Sequence, residues 1–262
     1  VGPAQQAYPD FDWATLAVWA WGGMRVVDYL ETRPEVDTSK IAITGHSRGG
    51  KMALLAGALD TRFSLVVPVQ SGAGGAGCYT LLGPGAESLA MNDKPHWYSD
   101  RILQFVGHAD RLPFDQHFLK ALVAPRGLLC IESVDDDYAN PVGTQLTTLA
   151  AQPAYDLFPN SSAIVRNAIC YRRGRHSFSQ ADWQTLLTYA EWLFRGRTPE
   201  TTDRFRARPY DLPREWYRAG TAGLSKDATG QLASNPVPGS VEQPGFVAVG
   251  NPGNPPDKKH FG

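Results

Sequence analysis

The sequence predicts an α/β fold built on a mainly parallel sheet, and three observations carry that reading. Short apolar or β-branched runs alternate with segments of helical period from residue 11 to about residue 194. Those runs are continuously apolar, as strands covered on both faces are. One strand-to-helix junction, Gly45-His46-Ser47-Arg48-Gly49, has the form G-x-S-x-G.

The elements follow in order. Residues 11–30 place apolar side chains at helical spacing (Leu16, Trp19, Ala20, Gly23, Val26, Val27, Leu30), with Asp12 as the expected N-cap and Pro34 past the last turn. Residues 40–44 read as a buried strand, 49–59 as a helix of small residues and 64–69 as the next strand. A glycine-rich loop (71–77) and a long polar and aromatic stretch (78–112) come next. Then come a helix at 115–123 stopped by Pro125, a strand at 127–133 and a helix at 143–151 ended by Pro153. A strand at 164–171 and an amphipathic helix at 181–194 complete the pattern.

After about residue 197 the texture becomes rich in Pro, Gly, Ser and Asn. The expected organisation is a partial catalytic domain over 1–197 and an extended or disordered tail over 198–262. Tyr210, Trp216 and Phe246 are the residues able to pin that tail to the domain.

Composition narrows the function. With 25 basic and 26 acidic residues in 262, the chain carries no global field for nucleic acid or an acidic membrane surface, so neither is an expected partner. No run approaches the roughly eighteen apolar residues of a membrane span. The three cysteines, Cys78, Cys130 and Cys170, match no zinc or redox spacing, and Cys130 reads as a small buried hydrophobe.

The junction at Ser47 carries the chemistry. A serine between a buried strand and a small-residue helix sits on a sharp turn that lifts its hydroxyl above the sheet. The same turn aims the Arg48 N–H, at a positive helix end, at a developing oxyanion. This is the nucleophile elbow of the α/β-hydrolase three-layer sandwich, in which acid and base follow the nucleophile in the order Ser, acid, His. His176 fits the base, on the loop after the last strand. His46 lies inside the elbow, His117 in a helix, His260 in the tail, and His96 and His108 in the long loop. The acid belongs just after the strand ending near Ser133, where the chain reads Asp135-Asp136-Asp137. Spacing does not choose among the three, and a solvated turn is the ordinary reading of at least two.

Further motifs, in order, carry a resemblance: Trp19-Ala-Trp-Gly22, Ile43-Thr-Gly-His-Ser-Arg-Gly-Gly-Lys51, Gly57-Ala-Leu-Asp60, Ser71-Gly-Ala-Gly-Gly75, Pro95-His-Trp-Tyr98, Leu112-Pro-Phe-Asp-Gln-His117, Ala124-Pro-Arg126 and Ala139-Asn-Pro141. From residue 11 to about residue 194 the chain resembles the glucuronoyl esterases, carbohydrate esterase family fifteen. The resemblance implies a metal-free, cofactor-free serine hydrolase, secreted or periplasmic, acting on 4-O-methyl-glucuronoyl esters that join xylan to lignin alcohols. It implies Arg48 beside the oxyanion and Lys51 and Glu87 on sugar hydroxyls. Tyr138 stands where a tryptophan often lines the sugar site. It also implies strands ahead of the first helix that are missing from this chain.

Two departures bear on mechanism. Many members carry the catalytic glutamate where this chain has Gln70, and others use an aspartate that Asp136 matches best. His46 replaces the cysteine of fungal members, so their disulfide is absent and the bacterial-type branch fits better. The rival expectations are an acetyl-xylan or other acyl esterase, which needs no Lys51-type site, and a sugar-binding relative that has lost catalysis.

Overall fold

The computed structural model of the chain describes residues 2–91, 96–159 and 163–217. Its elements run α1 (Gly2–Ala7), α2 (Thr15–Leu30), β1 (Ala42–His46), α3 (Arg48–Leu59), β2 (Leu65–Val69), α4 (Gln116–Val123), β3 (Gly127–Ser133), α5 (Pro141–Asp156), β4 (Asn167–Arg172) and α6 (Gln180–Arg195). The strands lie in chain order, β1-β2-β3-β4, and every pairing is parallel. A parallel sheet delivers the loops after all its strands to one edge, where α/β proteins build their sites.

Period-two alternation sorts the strand residues into two cores. Val66, Leu128, Cys130, Ile169 and Tyr171 face α2, α3 and α5, meeting Ala20, Val27, Leu54 and Leu146. Leu65, Val67, Leu129, Ile131, Ala168 and Cys170 face α6, meeting Leu186, Tyr189 and Trp192. The result is the three-layer sandwich that the continuous apolar runs predict. All three cysteines are buried and free, and Cys130 and Cys170 point to opposite faces. β2, β3 and β4 are buried along their length, whereas β1 is partly accessible. Among the described residues β1 pairs on one side only. No helix among the described residues is long and apolar enough to cross a membrane.

Several boundaries differ from expectation: β1 runs Ala42–His46 and β4 Asn167–Arg172, and two helices depart further. The first main helix starts at Thr15, and Asp12 is not its cap: Ala14 occupies that position with no side-chain bond. The N–H groups of Thr15 and Leu16 instead donate to the carbonyls of His96 (2.9 Å) and Trp97 (3.3 Å), so the long loop satisfies the helix end. Asp12 pairs with Arg101 at 3.1 Å. The short helix α1 lies where no apolar period announces one.

Helix α5 begins earlier than expected, at Pro141, and Pro153 does not end it. An interior proline costs about 3 kcal/mol. Here α5 is buried along most of its length against α4, β3 and β4, and that packing outweighs the local penalty. Residues 198–217 lie against the domain. Phe205 is buried beside Tyr189 and Trp192, Tyr210 is buried on the other face, and the Ala207 N–H donates to Ile169 O. Trp216 packs against the same core as Tyr210, while Phe246 lies outside the described residues.

Asn140 ties the long loop to α5. Its backbone is left-handed (φ 51°) and its buried side chain uses both ends. Oδ1 accepts from the N–H groups of Gly83 and Gly143, both at 3.1 Å, and Nδ2 donates to the carbonyls of Cys78 (3.1 Å) and Leu81 (3.2 Å). Asn140→Asp turns the two donated bonds into oxygen–oxygen repulsion while keeping the shape. It is expected to cost at least about 1–3 kcal/mol in chemical denaturation. An unchanged midpoint would contradict that role.

Candidate active site

Ser47 sits between β1 and α3 with φ 55° and ψ −120°, a region that residues with a side chain seldom occupy. Its N–H donates to Val69 O (2.9 Å), and its carbonyl accepts from the N–H groups of Gly50 (2.8 Å) and Lys51 (3.0 Å). A Cβ on Gly45 would lie 2.3 Å from the carbonyl carbon and oxygen of Gly49, so Gly45 is required. The second required glycine is Gly50, whose Cβ would meet Ser71 Cβ at 2.8 Å and Gly45 O at 2.9 Å. At Gly49 a Cβ meets nothing within 4 Å, so of the two glycines that flank Ser47 in the motif only Gly45 is sterically forced.

His176 is carried on the loop after β4. Its Nδ1 lies 2.6 Å from Asp136 Oδ2, and both groups are buried or nearly so. Of the three aspartates, Asp136 is therefore the one that meets the imidazole. Asp135 is not a plain solvated residue: its Oδ2 accepts the Gly174 N–H at 2.7 Å and its Oδ1 pairs with Arg173 at 3.2 Å. Asp137 stays exposed, and burial of its surroundings together with the charges of Asp136 and Asp135 raises its carboxyl above the usual range. The Ser133 hydroxyl holds Gly174 O at 2.6 Å.

Arg172, the last residue of β4, is the hub of this loop. Its guanidinium forms a two-point pair with the buried carboxylate of Asp182 at 2.6 and 2.9 Å, and Nη2 donates to Ser177 O at 2.7 Å. Asp182 closes the capping box of α6 with Ser179. The loop that carries His176 is thus fastened to strand and helix at once.

His46 and Gln70 reach the same place. The His46 ring lies against that of His176, with centroids 4.3 Å apart, and His46 Nε2 is 3.3 Å from Gln70 Oε1. Burial, followed by the nearby His176, lowers His46 to about 4. His46 carries no local signal, because a histidine inside the elbow resembles a turn residue. Arg172 hides in a basic stretch that reads as solvated. The other described histidines stay apart: His117 is buried in α4, and His96 and His108 are exposed on the long loop.

Lys51 lies one turn into α3 and is only 3% exposed, rather than on a solvated face. Its ammonium donates to Ala73 O at 2.5 Å and to Glu87 Oε2 at 2.6 Å, and Glu87 is 2% exposed. Both flank Gly72, where a Cβ would meet Glu87 Oε2 at 2.7 Å. The Glu87 N–H donates to Tyr138 O (3.0 Å), and the Tyr138 side chain is 42% exposed. The Arg48 guanidinium stacks over Trp97, 5.1 Å from the ring centroid.

A parallel sheet with helices on both faces and a strained serine after its first strand defines the α/β-hydrolase class. The family profile described as "Glucuronyl esterase, fungi" matches residues 6–158, and the chain belongs to that family. It is 36% identical over 191 residues to carbohydrate esterase MZ0003 from an unknown prokaryotic organism, covering 68% of this chain and 44% of that protein. It is 43% identical over 128 residues to the 4-O-methyl-glucuronoyl methylesterase of Hypocrea jecorina, covering 45% of this chain and 28% of that one. Among solved structures, a glucuronoyl esterase from Caldicellulosiruptor kristjansonii superposes with a TM-score of 0.70 at 32% identity, covering 77% of this chain and 55% of that one. A serine-to-alanine glucuronoyl esterase from Sporotrichum thermophile, in complex with methyl 4-O-methyl-β-D-glucopyranuronate, gives 0.67 at 28% identity, covering 84% and 61%. The chain spans about half the length, or less, of these two curated relatives.

Two outcomes follow from the site. Gly45→Ala and Gly50→Ala are each expected to lose at least about 1–3 kcal/mol through overpacking, while Gly49→Ala stays within about 1 kcal/mol, read from denaturation midpoints. Equal losses at all three would contradict the elbow geometry. The lowered His46 value means that the folded protein binds fewer protons than the unfolded chain below the free value of about 6.5. Stability is therefore full above that pH and is lost as pH falls toward about 4. His46→Gln should flatten this part of a thermal midpoint–pH curve, and an unchanged slope would contradict it.

Proposed function

We propose that the protein carrying this chain is a serine carboxylic-ester hydrolase that cleaves 4-O-methyl-glucuronoyl esters, the type that joins xylan to lignin alcohols. The observation that carries the reading is the 2.6 Å contact of Asp136 with His176 Nδ1, made while His176 rests against His46, the residue next to Ser47. With Nδ1 engaged by the carboxylate, the neutral imidazole keeps its lone pair at Nε2, available to take the Ser47 proton.

Ser47 Oγ then bonds to the ester carbonyl carbon, and the carbonyl oxygen takes the negative charge. The Arg48 N–H, at the start of α3, and the Arg48 guanidinium are the donors for that oxygen. Collapse expels the alcohol, which takes the proton from His176. Water, activated by the same imidazole, releases the uronate from Ser47. Asp136 offsets the imidazolium charge in both halves.

Lys51 and Glu87 are the candidate contacts for sugar hydroxyls, with Tyr138 at the rim. Two of the three ammonium N–H donors are committed, to Ala73 O and Glu87. A buried polar site selects strongly, because a substrate lacking the matching hydroxyl leaves one of its hydrogen bonds unmade. That feature supports a uronate ester over a simple acyl group. The ester is a small molecule or part of a polysaccharide, and a secreted or periplasmic location belongs to the same proposal.

Turnover of a benzyl glucuronate ester by the whole protein tests this. Ser47→Ala and His176→Ala should each lose roughly six orders of magnitude in kcat, as in other serine hydrolases. Asp136→Asn should lose about four. Asp137→Asn should stay within about threefold, and Asp135→Asn should fall between, because it disturbs only the anchor on Gly174. Near-normal turnover by Asp136→Asn, with loss on Asp137→Asn, would overturn the assignment.

A further inference from the structure

Gln70 follows β2 with a left-handed backbone (φ 42°) and is 1% exposed. Its own N–H donates to Ile131 O at 2.8 Å, which fixes it to β3. Its side chain reaches the base loop on both sides of His176. Oε1 accepts the Ser177 N–H at 2.8 Å, and Nε2 donates to the Arg175 carbonyl at 3.3 Å. The same Oε1 faces His46 Nε2 at 3.3 Å and Arg172 Nη2 at 3.5 Å.

We infer that Gln70 is the positioning residue of the catalytic base: its neutral amide clamps the two peptide groups that flank His176 and holds the imidazole over the elbow. The inference rests on the proposed roles of Ser47, His176 and Asp136.

The sheet makes such a clamp necessary. His176 leaves from β4 and must work at the end of β1, three strand spacings or roughly 14 Å away. Asp136 fixes one ring atom, and the peptide groups that carry the ring have to be placed as well. Ser133 and Asp135 anchor the loop at Gly174, on the β3 side. Gln70, on the strand beside β1, anchors it at Arg175 and Ser177.

The amide is matched to its partners. A peptide N–H can only donate and a carbonyl can only accept, so the clamp needs one acceptor and one donor on the same planar group. An ionised carboxylate keeps the Ser177 contact but turns the Arg175 contact into repulsion, and a thioether supplies neither. Both contacts lie on the backbone beside His176, and Nδ1 is already engaged by Asp136. A carboxylate at position 70 is therefore a damaged clamp, not a second acid.

The experiment uses the whole protein with Gln70→Met and Gln70→Glu, each alone and combined with Asp136→Asn. It measures kcat and KM for the benzyl glucuronate ester well below each thermal midpoint. Each single variant should lose about 10- to 100-fold in kcat, the scale of a small misplacement of a catalytic group, with KM within about twofold. Gln70→Glu should raise the turnover of Asp136→Asn by less than about threefold. The near-isosteric Gln70→Glu keeps the test decisive if the methionine variant does not fold.

Wild-type kcat in either folded single variant would overturn the inference. So would a raised KM at unchanged kcat, which would assign the residue to the substrate. Rescue of Asp136→Asn by more than about tenfold would assign it to charge. If Ser47→Ala and Asp136→Asn themselves retain normal turnover, the proposed function fails and the inference goes with it. Failure of the Gln70 variants alone leaves that function standing.

Discussion

The site depends on one constraint: the chain must reverse sharply at the same edge of a parallel sheet after each strand. Three residues with side chains accept a left-handed backbone to do so: Ser47 directly after β1, Gln70 directly after β2 and Asn140 in the connection from β3. Such a conformation costs about 1–3 kcal/mol and persists only where the surroundings over-determine it. Each is visibly over-determined. Ser47 is bonded through both its N–H and its carbonyl, Gln70 through backbone and side chain, and Asn140 through four bonds to two segments. The turns that strain the chain are those that carry Ser47, Gln70 and the tie to the long loop.

Placing His176 is the harder problem, because it arrives from the strand farthest from Ser47. The Arg172–Asp182 pair answers part of it. Both groups are buried and bonded at two points, so removing either would leave an unpaired buried charge, a loss of about 3–5 kcal/mol. The pair joins the root of the His176 loop to the first turn of α6, where Asp182 also caps the helix. Packing of α6 under the sheet and orientation of the imidazole are thus parts of one network.

Much of this was legible in the sequence where a residue's role is decided by its neighbours in the chain. Strand runs, the elbow at Ser47, the loop position of His176 and the small-residue helix all depend on local pattern. The misreadings share the opposite cause. Asp12 is not a cap because the carbonyls of His96 and Trp97 take that role from about eighty residues away. Pro153 does not stop α5 because burial on three sides outweighs a local penalty. Gly49 belongs to the motif while Gly50 is the crowded one, since Ser71 approaches it from another loop. His46 and Gln70 acquire meaning only when the sheet sets the loop after β4 against the ends of β1 and β2. Asn140-Pro141 did carry a local signal, a capping side chain followed by proline at the first helical position, and it marks the true start of α5.

The central claim is that Ser47 is a nucleophile made reactive by the His176–Asp136 pair. Peptide mapping of the whole protein after brief exposure to a fluorophosphonate ester, repeated on His176→Ala, tests it most directly. The account predicts a single adduct on Ser47 in the unaltered protein and labelling slowed by orders of magnitude in the variant. An adduct on another residue, or labelling of Ser47 at an undiminished rate without His176, would contradict it.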